Sequence, residues 1–516
     1  MSEPPTPRLY VDEDPPGPRS IEGVATSTAA FLGETERGPT YPHLVTSEAD
    51  YARWFGGVFR AGRYLPYAVR GFFENGGMRL YAARIVGAGA RTASRAIGGL
   101  TVHASGPGAW GNHVWVRVLP DSTSRDGNAT SFTLRLAYWR DPDPPTFDPF
   151  EPANDGLTPR PQLQEEFDNL SADPLSPNHF AKRVVSPLAV LSAIEGGVLP
   201  LLSSTPGHFL RNGSDGSGSP TTADYAGDID PSSGRLAPQG LAALADDVFR
   251  DVALVYAPFP SNDASTSIAK LIVQHCEVHK FRLAVIDSAN VDPTTLHPRD
   301  APTGIADTAY AAFYAPWLVV VDPATGARLT VPPGGHVLGI YARVDTERGV
   351  HRAPANEVVR GVVDLAFAVT DDMQAALNPR GVNAIRSFPS RGIRVWGART
   401  LSTNALWKYV SVRRYFIFLE RSIYEGTQWV VFESNDERLW ARVRDTIRLF
   451  LRAQWRSGAL SGRTEDEAFF VVCDRTTITE ADILNGRLVC EIGVAPVRPA
   501  EFVIFRIFQR TIEAAS

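Results

Sequence analysis

Residues 241–355 alternate apolar strand segments with a helical segment, and this alternation constrains the fold more than any other feature of the chain. Strands are predicted in "DVALVYAPF", "RLAVID" and "PWLVVVDPATG", and a helix from about Ile268 to His279 lies between the first two. Consecutive strands that are joined through a helix pair in parallel, because the crossover returns the chain to the same end of the sheet. These residues therefore predict an α/β domain with a parallel sheet.

The segment before residue 99 has the same character, and the segment after it does not. Residues 21–99 read as strand, helix, helix and strand, with Ser47 as a predicted N-cap and Gly76-Gly77 as a stop. From residue 100 the apolar period becomes two, and "LTVHA", "HVWVRVL" and "SFTLRLAYW" predict three strands of a β-rich module. The Pro-rich stretch 141–162 and the Gly- and Ser-rich stretch 203–239 are predicted to be surface loops.

The two ends of the chain carry strand segments that have no local partner. Leu9, Tyr10 and Val11 lie between two groups of prolines, so no hairpin can form there. In the last segment, "EFVIFRIFQR", both faces of the predicted strand are apolar, which indicates burial on both sides. The N-terminal segment is therefore either a frayed terminus or a strand that pairs with the sheet edge of another chain, and the C-terminal strand is not expected at a solvent-exposed edge.

Residues 356–497, which precede the C-terminal strand, are predicted to alternate helices and strands. Helices are expected near Val358 to Ala366, from about Arg413 to Tyr424 and from about Asn435 to Ser457, and a strand is expected in "QWVVF". The C-terminal quarter is also the basic part of the chain: residues 380–516 hold 21 Lys and Arg against 15 Asp and Glu, although the whole chain has a net charge of −6. This balance, without a basic run interleaved with aromatic residues, argues against nucleic acid as a partner.

The cysteine content indicates the cellular compartment in which the chain folds. The chain has three cysteines, Cys276, Cys473 and Cys490, which are few for its length and odd in number. A disulfide scaffold is therefore not expected, and folding in a reducing cytosol is. We find no signal-peptide pattern and no run of about eighteen apolar residues, so neither secretion nor membrane insertion is expected.

A search for catalytic motifs finds none that is complete. No lysine follows glycine as a phosphate-binding loop requires, and no Gly-x-Ser-x-Gly sequence is present. His275 and His279 are four residues apart on a predicted helix and could share a metal, but no third ligand is indicated, and two solvated histidines are the favoured interpretation. No catalytic, cofactor-binding or metal site is therefore predicted.

Several segments together resemble the sheath proteins of contractile phage tails and of phage-like extracellular injection systems. They include "GPRSIEGVATSTAAFLGETERGP", "LVTSEADYARWFGG", "FFENGGMRLYAARIV", "FDNLSADPLSPNHF", "GHVLGIYARVDTERGVHRAPAN" and "LNPRGVNAIRSF". The strongest is "GIRVWGARTLSTNALWKYVSVRRYFIFLERSIYEGTQWVVFESNDERLW". The resemblance runs nearly the whole length and is weakest in the loops at 141–162 and 203–239.

The resemblance implies a multidomain α/β fold with a conserved core domain formed by both ends of the chain. A β-rich module and a subtilisin-like α/β domain without a catalytic triad are inserted between them. The implied segments are 1–20, an N-terminal strand-exchange arm; 21–99, the N-terminal part of the α/β region; 100–240, the inserted β-rich module; 241–355, the subtilisin-like domain; 356–497, the C-terminal core domain; and 498–516, a C-terminal strand-exchange arm.

The function implied by the resemblance is mechanical. Subunits stack as hexameric rings around an inner tube and contract to drive the tube through a target membrane, without a cofactor and without enzymatic activity. The implied partners are copies of the same chain, the inner tube protein, baseplate and terminal cap proteins, and an AAA+ ATPase of the same gene cluster. The particle is expected to assemble in the bacterial cytoplasm, as part of a phage tail or of a tail-like particle released on lysis.

The resemblance also implies inter-subunit strand exchange, for which we predict Leu9, Tyr10, Val11, Phe502, Ile504, Phe505 and Phe508. For the inner-tube contact we predict one face of the helix that follows "SND", with Ser434 and Glu437 as its capping box. The residues of that face are Arg438, Arg442, Arg448, Leu449, Arg452 and Arg456. An ordinary solvated helix face is the alternative.

Two other functions stay open from the sequence alone. One is a subtilisin-like hydrolase that uses the middle domain, and it would be recognised by labelling with a serine-directed probe. The other is a static helical filament or shell protein, which would show one fixed helical geometry and never a short, wide form.

Overall fold

The computed structural model describes residues 20–501 except 121–130, 142–144, 146, 195–206, 217, 228–238, 259–262 and 300–303. The chain forms two compact units. The larger unit comprises residues 25–413, and the described part of the smaller unit comprises residues 20–24 and 414–501. The predicted arm residues Leu9, Tyr10, Val11, Phe502, Ile504, Phe505 and Phe508 lie outside the described residues.

The described strands fall into one large mixed sheet and several small antiparallel ones. In chain order they are β1 (Ala29–Gly33), β2 (His43–Val45), β3 (Leu80–Arg84), β4 (Ser94–Ile97), β5 (Leu100–Ala104), β6 (Val114–Pro120), β7 (Ser131–Tyr138), β8 (Leu163–Ser171), β9 (Ala189–Ala193), β10 (His208–Phe209), β11 (Leu254–Tyr256), β12 (Leu283–Asp287), β13 (Ala311–Ala315), β14 (Leu318–Val321), β15 (Arg328–Val331), β16 (Glu357–Val358), β17 (Val362–Leu365), β18 (Val382–Phe388), β19 (Gly392–Val395), β20 (Phe469–Val472) and β21 (Glu491–Val494).

The described α-helices range from single turns to five turns. They are α1 (Glu48–Phe55), α2 (Leu65–Glu74), α3 (Phe180–Arg183), α4 (Thr222–Ala226), α5 (Gly240–Leu244), α6 (Asp263–His279), α7 (Gly334–Arg348), α8 (Asp371–Leu377), α9 (Val410–Gly426), α10 (Glu437–Arg456), α11 (Glu465–Ala468) and α12 (Glu480–Leu484). None of the described helices is both long enough and apolar enough to cross a membrane.

A nine-stranded sheet, with the order β16-β19-β18-β13-β12-β11-β1-β3-β2, organises the larger unit. Its six inner strands, from β18 to β3, pair in parallel, and the edges are finished by antiparallel β2 on one side and β19 with β16 on the other. Every residue of β11, β12 and β13 is buried, as expected for parallel strands covered on both faces. The predicted parallel pairing of the strands in "DVALVYAPF" and "RLAVID" is confirmed. The predicted strand in "PWLVVVDPATG" is instead β14 of a separate antiparallel sheet, and β13, which was not predicted, is the next parallel strand.

The β-rich part of the larger unit consists of two antiparallel sheets, β10-β6-β7-β8 and β4-β5-β9. The three strands predicted from the period of two correspond to β5, β6 and β7. Their inward residues form one apolar core, in which Val116, Leu134 and Leu136 are fully buried. The alternation of buried and exposed residues places the remaining side chains on the outer faces.

Two helices of the larger unit touch through glycines rather than through side chains. A Cβ added at Gly335 of α7 would lie 2.4 Å from the carbonyl oxygen of Ala68 in α2. One added at Gly339 would lie 2.4 Å from the carbonyl oxygen of Phe72. Helices approach this closely only where a residue has no side chain at the crossing. Residues 334–344 of α7 are all buried, so the contact is part of the core.

A buried carboxyl group joins helix α7 to the parallel sheet. Asp287, at the end of β12, accepts hydrogen bonds from the Tyr256 hydroxyl at 2.6 Å and from the Gly334 N–H at 2.7 Å. Burial raises the pKa of Asp287 to about 7, although both hydrogen bonds favour the charged form. The first turn of α7 is thereby held against the carboxyl end of the sheet.

Asp287→Asn is expected to remove a pH dependence from the stability of the larger unit. The pKa of this carboxyl is about 7 in the folded chain against 3.8 ordinarily, so folding takes up a proton between those pH values. The contribution of the Asp287 carboxyl to the free energy of unfolding is fully present below about pH 4 and is lost as pH rises to 7. At about 1.4 kcal/mol per pKa unit, this loss amounts to up to about 4 kcal/mol. Urea unfolding of both proteins at pH 5 and pH 8 measures this, and an equal difference at the two pH values would contradict it.

The smaller unit takes its described residues from both ends of the chain. The N–H of Val24 donates to the Ser422 hydroxyl of α9 at 3.1 Å, and Ile21 packs against Gly426 at the end of that helix. In the same unit the rings of Phe418 and Phe450 lie 6.0 Å apart, which joins α9 to α10. Antiparallel β20 and β21 form a two-stranded sheet.

Two predicted elements are wrong. The helix near Val358 to Ala366 is instead the pair of short strands β16 and β17, whose β-branched valines fit a sheet better than a helix. The strand in "QWVVF" is instead a short 3₁₀ turn over Gln428–Val430. It continues directly from α9, and such turns are frequent at helix ends.

The fold is therefore a mixed α/β structure with several sheets. The nine-stranded sheet draws strands from the predicted segments 21–99, 241–355 and 356–497, so it crosses the boundary predicted at residue 355. The assignment of a separate subtilisin-like domain at 241–355 stays a prediction.

Candidate interaction surface

Helix α10 begins one residue after a strong N-cap. The carboxylate of Asp436 accepts a hydrogen bond from the Leu439 N–H at 2.8 Å. The predicted capping box of Ser434 and Glu437 is wrong, because Glu437 is the first helical residue rather than the third. The helix is nonetheless present over the predicted length, up to Arg456.

One face of α10 is buried in the smaller unit. The members of this face recur at intervals of three and four residues, as in an amphipathic helix: Leu439, Trp440, Val443, Thr446, Ile447, Phe450 and Leu451. Trp440 also donates its indole N–H to the side-chain oxygen of Asn435 at 2.7 Å. The opposite face holds most of the arginines and defines a candidate interaction surface.

The structure divides the six predicted tube-contact residues into two sets. Arg448 and Arg452 both bind Glu465, the first residue of α11: Arg448 Nη2 donates to Oε1 at 2.9 Å, and Arg452 Nε donates to Oε2 at 2.6 Å. The hydrogen bonds from Arg452 and then Arg448 lower the pKa of Glu465 to about 2. These two arginines are therefore partly neutralised within the subunit.

The other four residues form a ribbon along the exposed side, which we call the outer ribbon: Arg438, Arg442, Leu449 and Arg456. Their spacing of four, seven and seven residues places them in one line along the helix. Arg438 and Arg456 are exposed, and neither has an ion-pair partner among the described residues. Leu449 is 43% exposed between them.

Arg442 differs from the other arginines of the outer ribbon because its guanidinium contacts two side chains of the same unit. Its guanidinium lies 5.3 Å from the centre of the Trp429 ring, and its Nη2 is 3.5 Å from a carboxylate oxygen of Glu433. Both groups are partly exposed, so the ion pair contributes little to stability. The stacking holds Arg442 in place on the surface.

The sequence interpretation missed the role of Glu465 and the exposure of two apolar side chains of the two-stranded sheet. Phe470 of β20 is 54% exposed and Ile492 of β21 is 36% exposed. Within residues 20–24 and 414–501, no further strand pairs with β20 or β21. Phe470 and Ile492 lie on opposite faces of the sheet, because Phe470 is opposite Gly493 and Ile492 is opposite the buried Val471.

The residues considered for catalysis do not form a catalytic arrangement. His275 is buried rather than solvated: its Nε2 is 2.6 Å from Arg282 Nη1, and burial lowers its pKa to about 3. His103 and Ser192 form a hydrogen bond of 3.0 Å, but in the described part of the chain no carboxylate binds the second ring nitrogen of His103. The described residues also hold no group of three or more side chains that could bind a metal ion.

Comparison of the sequence with protein families gives two adjacent matches. Residues 218–401 match the model of the phage tail sheath protein central domain, and residues 402–510 match that of the phage tail sheath C-terminal domain. Together the two matches cover more than half of the 516 residues.

Curated relatives match over part of their length. A putative prophage major tail sheath protein of Pseudomonas aeruginosa (strain UCBPP-PA14) is 26% identical over 196 residues, which are 37% of this chain and 49% of that protein. The tail sheath protein of Salmonella phage ViI is 25% identical over 261 residues, 46% of this chain and 40% of that protein. The chain thus spans less than half the length of these two relatives.

Solved structures match over nearly the whole chain. The helical sheath of the anti-feeding prophage in its contracted state has a TM-score of 0.60 and 24% identity, covering 98% of this chain and 99% of that one. The sheath complex of an extracellular contractile injection system, PVC, also in the contracted state, has a TM-score of 0.59 and 23% identity, covering 99% of both chains. At this level of identity the likeness concerns the fold.

Proposed function

The chain belongs to the phage tail sheath protein family, and from this membership we propose that it is the repeating subunit of a contractile sheath. In this proposal, subunits stack as hexameric rings around an inner tube. The sheath assembles in an extended state of higher free energy and shortens when a baseplate releases it, which drives the tube through a target membrane.

The observation that carries the proposal is that the first and the last described segments of the chain belong to the same compact unit. Residues 20–24 pack on α9, and Glu501 is the last described residue of the same unit. That unit also contains the two-stranded sheet β20-β21 with its exposed Phe470 and Ile492. We infer that the strand of Leu9 to Val11, and the strand with Phe502, Ile504, Phe505 and Phe508, extend such a sheet in neighbouring subunits.

This exchange supports a helical polymer rather than a closed oligomer. A contact between unlike surfaces of identical chains does not close on itself unless its rotation does, and it otherwise generates a helix. Strands that cross between subunits keep neighbours linked while the subunits change orientation. In the rival proposal of a static filament the subunits do not change orientation, so such a link would not be required.

For the inner tube we propose the outer ribbon of α10 as the contact. Arg438, Arg442 and Arg456 present positive charge on one line, with Leu449 as an apolar contact between them. Such a ribbon fits a tube whose outer surface is acidic. Arg448 and Arg452, which also belong to our predicted contact, would act as a second row whose charge Glu465 partly offsets.

The larger unit serves in this proposal as a scaffold without enzymatic activity. We propose that residues 241–355 are a subtilisin-like α/β domain that lacks a catalytic triad, and that no cofactor takes part. The further partners are baseplate and terminal cap proteins and an AAA+ ATPase of the same gene cluster. Assembly takes place in the bacterial cytoplasm, followed by release of the particle on lysis.

Charge reversal in the outer ribbon tests the proposed tube contact. The double variant R438E/R456E is expected to abolish extended sheaths when it is produced with the tube protein, because four units of charge change at an interface that depends on electrostatic complementarity. Negative-stain electron microscopy measures the number and length of the particles. R448E/R452E is a poorer test, because it also breaks the bonds to Glu465.

The matched control is R250E/R352E, which makes the same change in charge at two exposed arginines of the larger unit. This control should assemble normally. Normal extended particles from R438E/R456E would show that the outer ribbon does not grip the tube.

A further inference from the structure

Two of the three cysteines face each other across the two-stranded sheet. Strands β20 and β21 pair from Phe469 with Val494 to Val472 with Glu491, without a shift in register. The next opposed pair in that register is Cys473 with Cys490. Both are free thiols, of which Cys473 is buried and Cys490 is partly exposed.

The hydrogen-bonding pattern places this pair at a close position of the ladder. The N–H of Ala495 donates to the carbonyl oxygen of Ala468 at 2.9 Å, which makes 468 and 495 a hydrogen-bonded pair. Such pairs alternate with non-hydrogen-bonded ones, so Cys473 and Cys490 form a non-hydrogen-bonded pair. The Cα atoms of such pairs lie about 4.5 Å apart, within the range that a disulfide requires.

We propose that Cys473 and Cys490 are an oxidation site. A small-molecule disulfide such as oxidised glutathione converts the two thiols into an intramolecular disulfide across the two-stranded sheet. The site goes beyond the sheath function and does not depend on it.

The surroundings of the two thiols favour Cys473 as the one that attacks first. Each sulfur is in hydrogen-bonding contact with the other, and the contact with Cys490 is the main reason why the pKa of Cys473 is lowered. Burial opposes this lowering, the guanidinium of Arg444 on α10 adds to it, and Asp474 opposes it. The pKa of Cys490 is raised by the contact with Cys473 and by burial. A nearby positive charge stabilises the thiolate, which is the form that attacks a disulfide.

The chemistry balances in two exchange steps. One thiolate of the pair attacks oxidised glutathione, which forms a mixed disulfide and releases one glutathione thiolate. The second cysteine thiolate then attacks the mixed disulfide at the protein sulfur and releases the second glutathione. The protein loses two electrons and two protons in total, and the glutathione disulfide takes them up as two thiols.

Thiol counting and peptide mapping test the proposal on the purified full-length chain. After incubation with millimolar oxidised glutathione, denaturation and alkylation, the number of free thiols should fall from three to one. Trypsin should release residues 464–475 and 488–506 as one linked species, because Arg498 precedes a proline and is not cleaved. Reduction should separate the two peptides.

Cys276 serves as an internal control, because it is buried in the larger unit and its pKa is raised by burial to about 12. The variant C276S should fall from two thiols to none, whereas C490S should give no linked peptide. We also expect the disulfide to raise the melting temperature of the smaller unit by roughly 10 °C, since the cross-link lowers the conformational entropy of the unfolded chain.

Three results would overturn the assignment. They are three free thiols after oxidation, a link between two chains on a non-reducing gel, and glutathione adducts that never resolve into the linked peptides.

Discussion

Deletion of residues 1–20, with an initiating methionine retained, is expected to leave a folded subunit that forms no ordered cylinders. In our proposal the strand of Leu9 to Val11 is completed only in a neighbouring subunit. In that arrangement about five backbone hydrogen bonds at roughly 1 kcal/mol each would join every arm to its acceptor, so their loss would weaken each contact by roughly 10³-fold or more. Negative-stain microscopy and sedimentation measure the loss of polymer.

The fold should survive this deletion, because the residues that hold the N-terminal segment in the smaller unit remain. Ile21 still packs on Gly426, and the Val24 N–H still donates to Ser422. Val11→Pro, which removes one N–H donor from the strand, should give a weaker form of the same defect. Val11→Thr, which keeps a β-branched side chain, is the matched control. Cylinders that persist unchanged after the deletion would refute the exchange.

The double variant Gly335→Ala and Gly339→Ala is expected to destabilise the larger unit strongly. Each added methyl group would lie 2.4 Å from a backbone carbonyl oxygen of α2, so α2 and α7 would have to move apart. Overpacking of this kind costs about 1–3 kcal/mol per site. Helix propensity alone predicts the opposite sign, since alanine is about 1 kcal/mol better than glycine inside a helix.

Urea unfolding followed by circular dichroism distinguishes these two signs. Gly156→Ala is the control, because a methyl group there meets nothing within 4 Å. We expect the control to change the midpoint little and the double variant to lower it clearly. A midpoint that rises in the double variant would mean that the helices are not in close contact.

The sequence was a good guide wherever periodicity alone decides the structure. Continuous apolar runs identify β11 and β12, and alternation identifies β5, β6 and β7. An apolar run does not show which sheet a strand joins, and the predicted third parallel strand is instead antiparallel β14. The long helix α10 was also predicted, because its apolar residues recur at helical spacing. The resemblance to tail sheath proteins, which the family matches confirm, rested on segments that include these elements.

The errors lie where contacts distant in sequence decide the structure. Glu465 is thirteen residues beyond Arg452, and only the turn after α10 brings its carboxylate between two arginines. His275 was interpreted as solvated because a helix pattern does not show that Arg282 lies against it. The pairing of β16 with β19 likewise depends on a strand more than thirty residues away, which a local helix prediction ignores.

The anchoring of residues 20–24 on α9 sets a limit on the geometry of any assembled particle. Val11, the last residue of the proposed exchange strand, is nine positions before Ser20, and an extended chain advances at most about 3.5 Å per residue. Val11 can therefore lie no farther than roughly 32 Å from that root, and the segment between them is a tether of fixed maximum length. A spacing that places the subunit providing the strand and the subunit binding it beyond this reach is inaccessible, in either the long or the short form of the particle, unless the strand dissociates.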